Sequence, residues 1–330
     1  MNKLQITAIG EPADVLQLVE LQTPAPGPGQ VLVEVQAATI NASDFLYISG
    51  QYFITPSPPS DVGAEGVGRV VAVGPGEDQS LVGARVLLLP TYRHGTWATH
   101  VIAATTDVVV VPDDVDTLQL AMVGINPMTA LLMLRNFGDP SMPGRWIGQT
   151  AGNSAVGEYV IKLARRFGWK TLSVVRRESA AALVRGWGGD RVLIAGDDLE
   201  SDLRRVLADT ELDLVVDSIG GATTRKLVRH LRFGGTLVTY AYLSGEANSA
   251  DILDLIGRQV NWTGFWEINW LNRSEPAMVQ AAYRDVVELV ADGTLSARVD
   301  RTMQLDEWKE AVRLSQDGAK GEGKILFVFE

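Results

Sequence analysis

The stretch Thr150-Ala151-Gly152-Asn153-Ser154-Ala155-Val156-Gly157 reads G-x-S-x-x-G, with Gly152, Ser154 and Gly157 at the spaced positions. Before it, Trp146-Ile147-Gly148-Gln149 has the character of a short strand. After it, Val156, Tyr159, Val160, Leu163, Ala164 and Phe167 recur at i, i+3, i+4, i+7, i+8 and i+11. That spacing puts them on one face of a helix, which Gly168 can end. A tight turn between strand and helix lets backbone N–H groups and the helix N-terminus face a pyrophosphate. Gly152, Asn153, Ser154, Ala155, Val156 and Gly157 are therefore candidate cofactor-binding residues. Ser154 stands where the usual fingerprint has a glycine, so a turn without a ligand is the alternative.

A βα rhythm continues outward from this turn. Strands are expected over 171–176, 191–194, 212–217 and 236–240, with helices near 179–185, 200–208 and 223–231. Leu212-Asp213-Leu214-Val215-Val216-Asp217 is nearly all apolar, as in a parallel sheet buried on both faces. The alternation predicts an α/β fold with a doubly wound parallel sheet. Cofactor choice is read at the end of the second strand. An acidic residue there holds the ribose hydroxyls of NAD. This chain has Arg176-Arg177 instead. A guanidinium pairs with the 2′-phosphate of NADPH, which a carboxylate would repel. NADPH is the expected cofactor, and two solvated surface arginines are the alternative.

Upstream the pattern differs. Short strands around 31–35, 66–74 and 108–111, separated by turns such as Gly27-Pro28-Gly29-Gln30, indicate a β-rich, barrel-like module. Two helices, over 278–291 and 305–315, and a strand over 325–329 close the chain. With 330 residues, 46% of them hydrophobic, two domains are expected. The net charge of -11 argues against a general nucleic-acid binder. There is no cysteine, which excludes thiolate catalysis, disulfides and Cys-containing zinc sites. His94, His100 and His230 are the only histidines, and no carboxylate spacing near them reads as a metal site, so no metal is expected. No signal-peptide pattern and no apolar run of membrane-spanning length is seen; a cytoplasmic protein with no membrane partner is expected.

Several further motifs carry a resemblance. They are Asn41-Ala42-Ser43-Asp44, Ser49-Gly50-Gln51-Tyr52, Gly63-Ala64-Glu65-Gly66-Val67-Gly68, Gly95-Thr96-Trp97, Gly124-Ile125-Asn126-Pro127-Met128-Thr129-Ala130 and Gly264-Phe265-Trp266-Glu267-Ile268-Asn269-Trp270. With the 149–157 and 234–240 segments, they make nearly the whole chain resemble the zinc-independent medium-chain dehydrogenase/reductase superfamily. Within it the chain is most similar to the 2-enoyl thioester reductases (trans-2-enoyl-CoA or acyl carrier protein). The resemblance implies a GroES-like β-rich catalytic domain from residues 1–125 and 270–330, and an NADP-binding Rossmann domain from 126–269. It implies that Tyr52 is the proton donor or positions the substrate. A phenol is neutral at pH 7, with a pKa of about 10, so it can donate to a developing enolate. An aromatic packed on the prolines that follow is the alternative for Tyr52. It also implies cofactor contacts from Asn126, Thr129, Tyr240, Phe265, Trp266 and Lys324, and a substrate pocket formed by Asn41, Tyr242, Trp266 and Trp270. Ala241-Tyr242-Leu243 and Ala64 depart from the family pattern at the site, which leaves the acyl group open.

The expected activity is NADPH-dependent reduction of the C=C bond of a 2-enoyl thioester. A quinone or enone reductase of the same fold is the alternative, and a non-catalytic NADPH-binding protein is a third reading of a different class. Partners would be a coenzyme A or acyl carrier protein thioester and a second copy, as a homodimer. Arg225, Lys226, Arg229 and Arg232 are expected on one helix, as a basic entrance or a solvated face.

Overall fold

The computed structural model describes residues 1–246, 251–317 and 323–329. The chain divides into two compact units, Met1–Ile125 with Trp270–Glu330, and Asn126–Asn269. The first contains β1 (Asn2–Ile6), α1 (Pro12–Val15), β2 (Leu16–Glu20), β3 (Gln30–Thr39), α2 (Ala42–Ile48), β4 (Ser60–Asp61), β5 (Gly66–Val73), β6 (Arg85–Leu88), β7 (His100–Ala104), β8 (Val108–Val110) and α3 (Thr117–Leu120). The second contains α4 (Asn126–Phe137), β9 (Trp146–Gln149), α5 (Ala155–Arg166), β10 (Lys170–Val175), α6 (Glu178–Gly186), β11 (Arg191–Ile194), α7 (Leu199–Leu207), β12 (Leu212–Asp217), α8 (Gly221–Val228), β13 (Leu231–Thr239), α9 (Ile252–Arg258) and β14 (Asn261–Gly264). Then α10 (Glu267–Arg273) carries residues of both units, and α11 (Pro276–Ala291), β15 (Val299–Met303), α12 (Trp308–Asp317) and β16 (Lys324–Val328) return to the first.

In the first unit, the order β15-β16-β3-β5-β6-β8, with β7 on β3, forms a strongly curved sheet around one core. Alternate residues Val31, Val33 and Val35 of β3 pack inward with Leu4, Trp97 and Phe327. Strand β16 is interior: it pairs parallel with β15 and antiparallel with β3, Phe327 opposite Ala38. This is the GroES-like fold.

The second unit is a parallel sheet in the order β11-β10-β9-β12-β13-β14. In its own numbering that is 3-2-1-4-5-6, the Rossmann order, in which ligands lie beyond the carboxyl ends of the strands. The apolar stripe read from the sequence explains α5: Val156, Tyr159, Val160, Leu163 and Ala164 are buried. Helix α8 is shorter than expected and ends at Val228. Leu231 already pairs with Leu212 in the sheet, so Arg232 lies on β13 rather than on the helix. The four basic residues therefore do not share one helix face. Arg232 Nε lies 2.8 Å from Asp213, Lys226 Nζ donates to the Gly196 carbonyl at 2.9 Å, and Arg229 lies 3.9 Å from Asp251. None of the helices among the described residues is long and apolar enough to cross a membrane.

Candidate active site

The turn after β9 is built to let a ligand approach backbone. A Cβ on Gly152 would lie 2.6 Å from the Cβ of Ser173 on β10, and one on Gly157 would lie 2.6 Å from the Gly152 carbonyl oxygen. Both positions therefore require glycine. Ala151 has φ 46°, the left-handed region that side chains with a Cβ rarely adopt. Ser154 caps α5, its hydroxyl accepting from Gly157 N at 3.0 Å. The remaining first-turn N–H groups of α5 have no intrahelical partners.

Asp217, fully buried at the end of β12, fixes the neighbouring turn. Its Oδ1 accepts from Thr150 Oγ1 and Thr224 Oγ1, both at 2.7 Å, and from the backbone N–H groups of Ile219 and Gly220 at 3.1 and 3.2 Å. Gln149 Nε2 donates to Ser173 Oγ at 2.8 Å, tying β9 to β10 beneath Gly152. Arg176 and Arg177 follow β10, exposed and with no hydrogen bond or ion pair among the described residues. Glycine cradle, helix terminus and free guanidinium thus lie along the carboxyl edge of one sheet, an arrangement that fits a dinucleotide with an additional phosphate.

Other expected cofactor residues fall in the same unit. Tyr240 follows β13, its N–H donating to the Asp217 carbonyl at 2.9 Å, and burial raises its phenol pKa. Phe265 N donates to Thr239 O at 2.9 Å, and its ring meets Phe137 edge-on at 6.2 Å. Thr129 Oγ1 donates to buried Glu267 at 3.2 Å, which joins the first turn of α4, where Asn126 stands, to the segment carrying Trp266. Tyr242, expected in the substrate pocket, follows β13 in the same unit. It is 56% exposed, and its hydroxyl donates to the Gly245 carbonyl at 2.5 Å.

The first unit holds Tyr52, Asn41, Lys324 and Trp270. Tyr52 follows α2 and its ring packs on Tyr92 at 5.4 Å and Phe53 at 5.6 Å. Its neighbours are thus aromatic rings rather than only the following prolines. Asn41, expected in the substrate pocket, and Lys324, expected at the cofactor, are joined to each other and to the acids around them. Lys324 Nζ donates to Asn41 Oδ1 at 2.5 Å, and Asn41 Nδ2 donates to Glu65 Oε1 at 2.7 Å. Glu65 Oε2 accepts from Ile125 N at 2.9 Å, and Asp44 Oδ2 accepts from Asn41 N at 2.8 Å. Asp44 and Glu65 are fully buried, and burial pushes each carboxyl up to about 7. Burial likewise lowers the Lys324 ammonium, whose charge holds both carboxyls down. Asp44 and Glu65 sit inside motifs quoted from the sequence, but their proximity to Lys324 depends on β16 lying beside β3. Tyr92 adjoins the turn of Arg93 and His94 and had no sequence signal of its own.

The chain belongs to the medium-chain dehydrogenase/reductase family, in its zinc-independent branch with the enoyl thioester reductases. The Alcohol dehydrogenase GroES-like domain family matches residues 27–113, and the Zinc-binding dehydrogenase family matches residues 155–291. The second name mentions zinc, but this chain has no cysteine, and its described residues contain no group of three or more His, Asp or Glu able to hold a metal. The enoyl-[acyl-carrier-protein] reductase, mitochondrial, of Xenopus tropicalis is 31% identical over 97% of this chain and 93% of its own. A Bacillus thuringiensis protein provisionally called an NADPH:quinone reductase superposes with TM-score 0.91 at 27% identity, covering 100% of this chain and 99% of its own. Etr1p of Candida tropicalis, solved with NADP and crotonyl-CoA, superposes with TM-score 0.87 at 22% identity, covering 99% of each chain, and shares the fold.

Proposed function

We propose that this chain reduces the C=C bond of a 2-enoyl thioester with NADPH. The observation that carries this reading is the 31% identity, over 97% of the chain, to an enoyl-acyl carrier protein reductase. The unit of residues 126–269 serves as the NADP-binding domain, and the unit of 1–125 with 270–330 as the catalytic domain.

Bound NADPH supplies the hydride that reaches the β-carbon. The chain's residues do the rest. Gly152 and Gly157 leave room for the pyrophosphate, and the first turn of α5 donates N–H groups to it. Arg176, with Arg177 beside it, pairs with the 2′-phosphate. Asn126, Thr129, Tyr240, Phe265 and Trp266 border the rest of the cofactor. As charge develops on the thioester oxygen, Tyr52 donates its hydroxyl hydrogen to the enolate, and that proton ends on the α-carbon. Trp266 and Trp270 wall the acyl group. Asn41 and Lys324 act through the buried carboxyl network rather than on ligand.

A quinone acceptor is the second reading, favoured by the Bacillus thuringiensis likeness. The deciding assay follows NADPH oxidation with crotonyl-CoA, longer 2-enoyl-CoAs and 1,4-quinones, for the wild type and Tyr52→Phe. Enoyl thioesters turn over faster, and the variant loses about 100-fold in kcat, the scale of one general-acid group. Turnover of quinones alone, unchanged in the variant, sinks the thioester reading.

We also infer a homodimer joined along β14, an edge strand of the parallel sheet with Trp262 42% exposed. We infer a cytoplasmic location; the Xenopus tropicalis relative is named mitochondrial, and fractionation of the tagged protein decides.

A further inference from the structure

Tyr52 gives up its hydroxyl proton in the proposed reaction and must regain it; the inference below rests on that reading. Three buried atoms near it make no well-formed hydrogen bond with a described residue: Ser43 Oγ, Asp44 Oδ1 and the Tyr92 hydroxyl. They belong to one place. Burial raises the Tyr92 phenol well above its usual value, and the charges of Asp44 and Tyr52 and the hydroxyls of Ser43 and Tyr52 also act on it. The Tyr92 ring lies between those of Tyr47, at 4.9 Å, and Tyr52, at 5.4 Å. It is held there with φ 56°, a left-handed backbone that is strained for a bulky residue. Buried polar atoms without well-formed hydrogen bonds are costly, so three in one place call for a use.

We propose that Tyr92 and Asp44 form a proton relay behind Tyr52. After Tyr52 protonates the α-carbon, the Tyr92 O–H breaks and its proton forms a new O–H bond on Tyr52. The protonated Asp44 carboxyl, whose charge when ionised acts on Tyr92, then supplies a proton to it through one intervening water, which takes up the carboxyl proton as it releases another to the Tyr92 oxygen. In each transfer the electron pair of the broken bond stays on the donor oxygen. Asp44 ends as a carboxylate and regains its proton from water between turnovers. Nothing is oxidised or reduced in the relay. The groups facing Asp44 fit this cycle. The backbone N–H groups of Asn41 and Ala64 donate to the Asp44 carboxyl, Asn41 to Oδ2, while Oδ1 makes no well-formed hydrogen bond with a described residue. The Lys324 ammonium, from β16, steadies the carboxylate when it forms, while Glu65, ahead of β5, opposes its ionisation. Tyr92 and Asp44 are positioning and proton-supplying groups, and only Tyr52 meets the substrate.

The test uses the full chain with saturating NADPH and crotonyl-CoA, comparing wild type, Tyr92→Phe and Asp44→Asn. Phenylalanine keeps the stacked ring, and asparagine keeps an acceptor for the Asn41 N–H. In Tyr92→Phe, kcat is expected to fall about 100-fold, the low end for proton-transfer groups, with KM nearly unchanged. The dependence of kcat on the D2O fraction is expected to be curved in the wild type and linear in Tyr92→Phe. The wild-type kcat should fall above pH about 7, as Asp44 loses its proton, and that limb should vanish in Asp44→Asn. Wild-type kcat and D2O curve in Tyr92→Phe would overturn the relay, as would an unaltered alkaline limb in Asp44→Asn if the first variant fails to fold. A wild type that does not turn over crotonyl-CoA at all overturns the thioester reading itself, and the relay with it.

Discussion

In the proposed reaction, Arg176 concentrates the choice of cofactor in one side chain, exposed beyond β10 and with no partner among the described residues. Reversing its charge removes a charge-assisted bond to the 2′-phosphate and adds repulsion. For Arg176→Asp the KM for NADPH should rise about 100-fold, the equivalent of roughly 3 kcal/mol, while that for NADH changes little. Equal losses for both cofactors would mean that the arginine does not read the phosphate. Gly152→Ala places a methyl 2.6 Å from Ser173 Cβ, where the strand must shift. Overpacking of that kind costs about 1–3 kcal/mol, readable by thermal unfolding, and NADPH binding should weaken alongside. The positions of the glycines and arginines were legible because each is set locally: a turn of fixed spacing, then the end of the next strand. Lys324 was not, because its partner Asn41 is 283 residues away in the chain. Sequence gives its type and its family position, but not the acids among which the fold sets it.

Elements show the same division. The βα strands and α5 follow from apolar runs and a 3.6-residue stripe, so the doubly wound sheet could be read before any coordinates. Helix α2 lies inside a module read as β-rich, and β14 and α10 fall in the Gly264–Trp270 motif, whose aromatic residues mask any clear period. Two predictions belong at this scale. Ser154→Ala removes the cap of α5 and should cost about 1 kcal/mol in denaturant unfolding, with NADPH affinity affected less than in Gly152→Ala. The second concerns α2, β5 and β16, whose junction buries Asp44 and Glu65. Their carboxyls are raised from 3.8 and 4.5 to about 7 on folding, so the folded state holds more protons between those values. Their contribution is full below the unfolded values and is lost as pH rises to about 7, after which it is flat. Wild-type stability relative to Asp44→Asn and Glu65→Gln should therefore decline from about pH 4 to 7. A difference that grows with pH would contradict the burial of these groups.

For the whole molecule, NADPH should stabilise the folded chain by about 2.7 kcal/mol at a hundredfold excess over Kd, seen as a rise in Tm. Arg176→Asp should abolish most of that rise at the same concentration. Size-exclusion chromatography with light scattering checks the dimer, and charged substitution of Trp262 should dissociate it. The route of the chain through the two units has a further consequence, for synthesis. Residues 126–269 are contiguous, so the nucleotide unit can close soon after they leave the ribosome. The other unit cannot. Its β3, already paired with β5 and β7, waits with the end of one edge open until β16, made almost last, fills the place beside Thr39, Ala38 and Ala37. Through that interval the nascent chain carries a finished body attached to an unfinished, strand-hungry one, and the early residues are those that chaperones must guard.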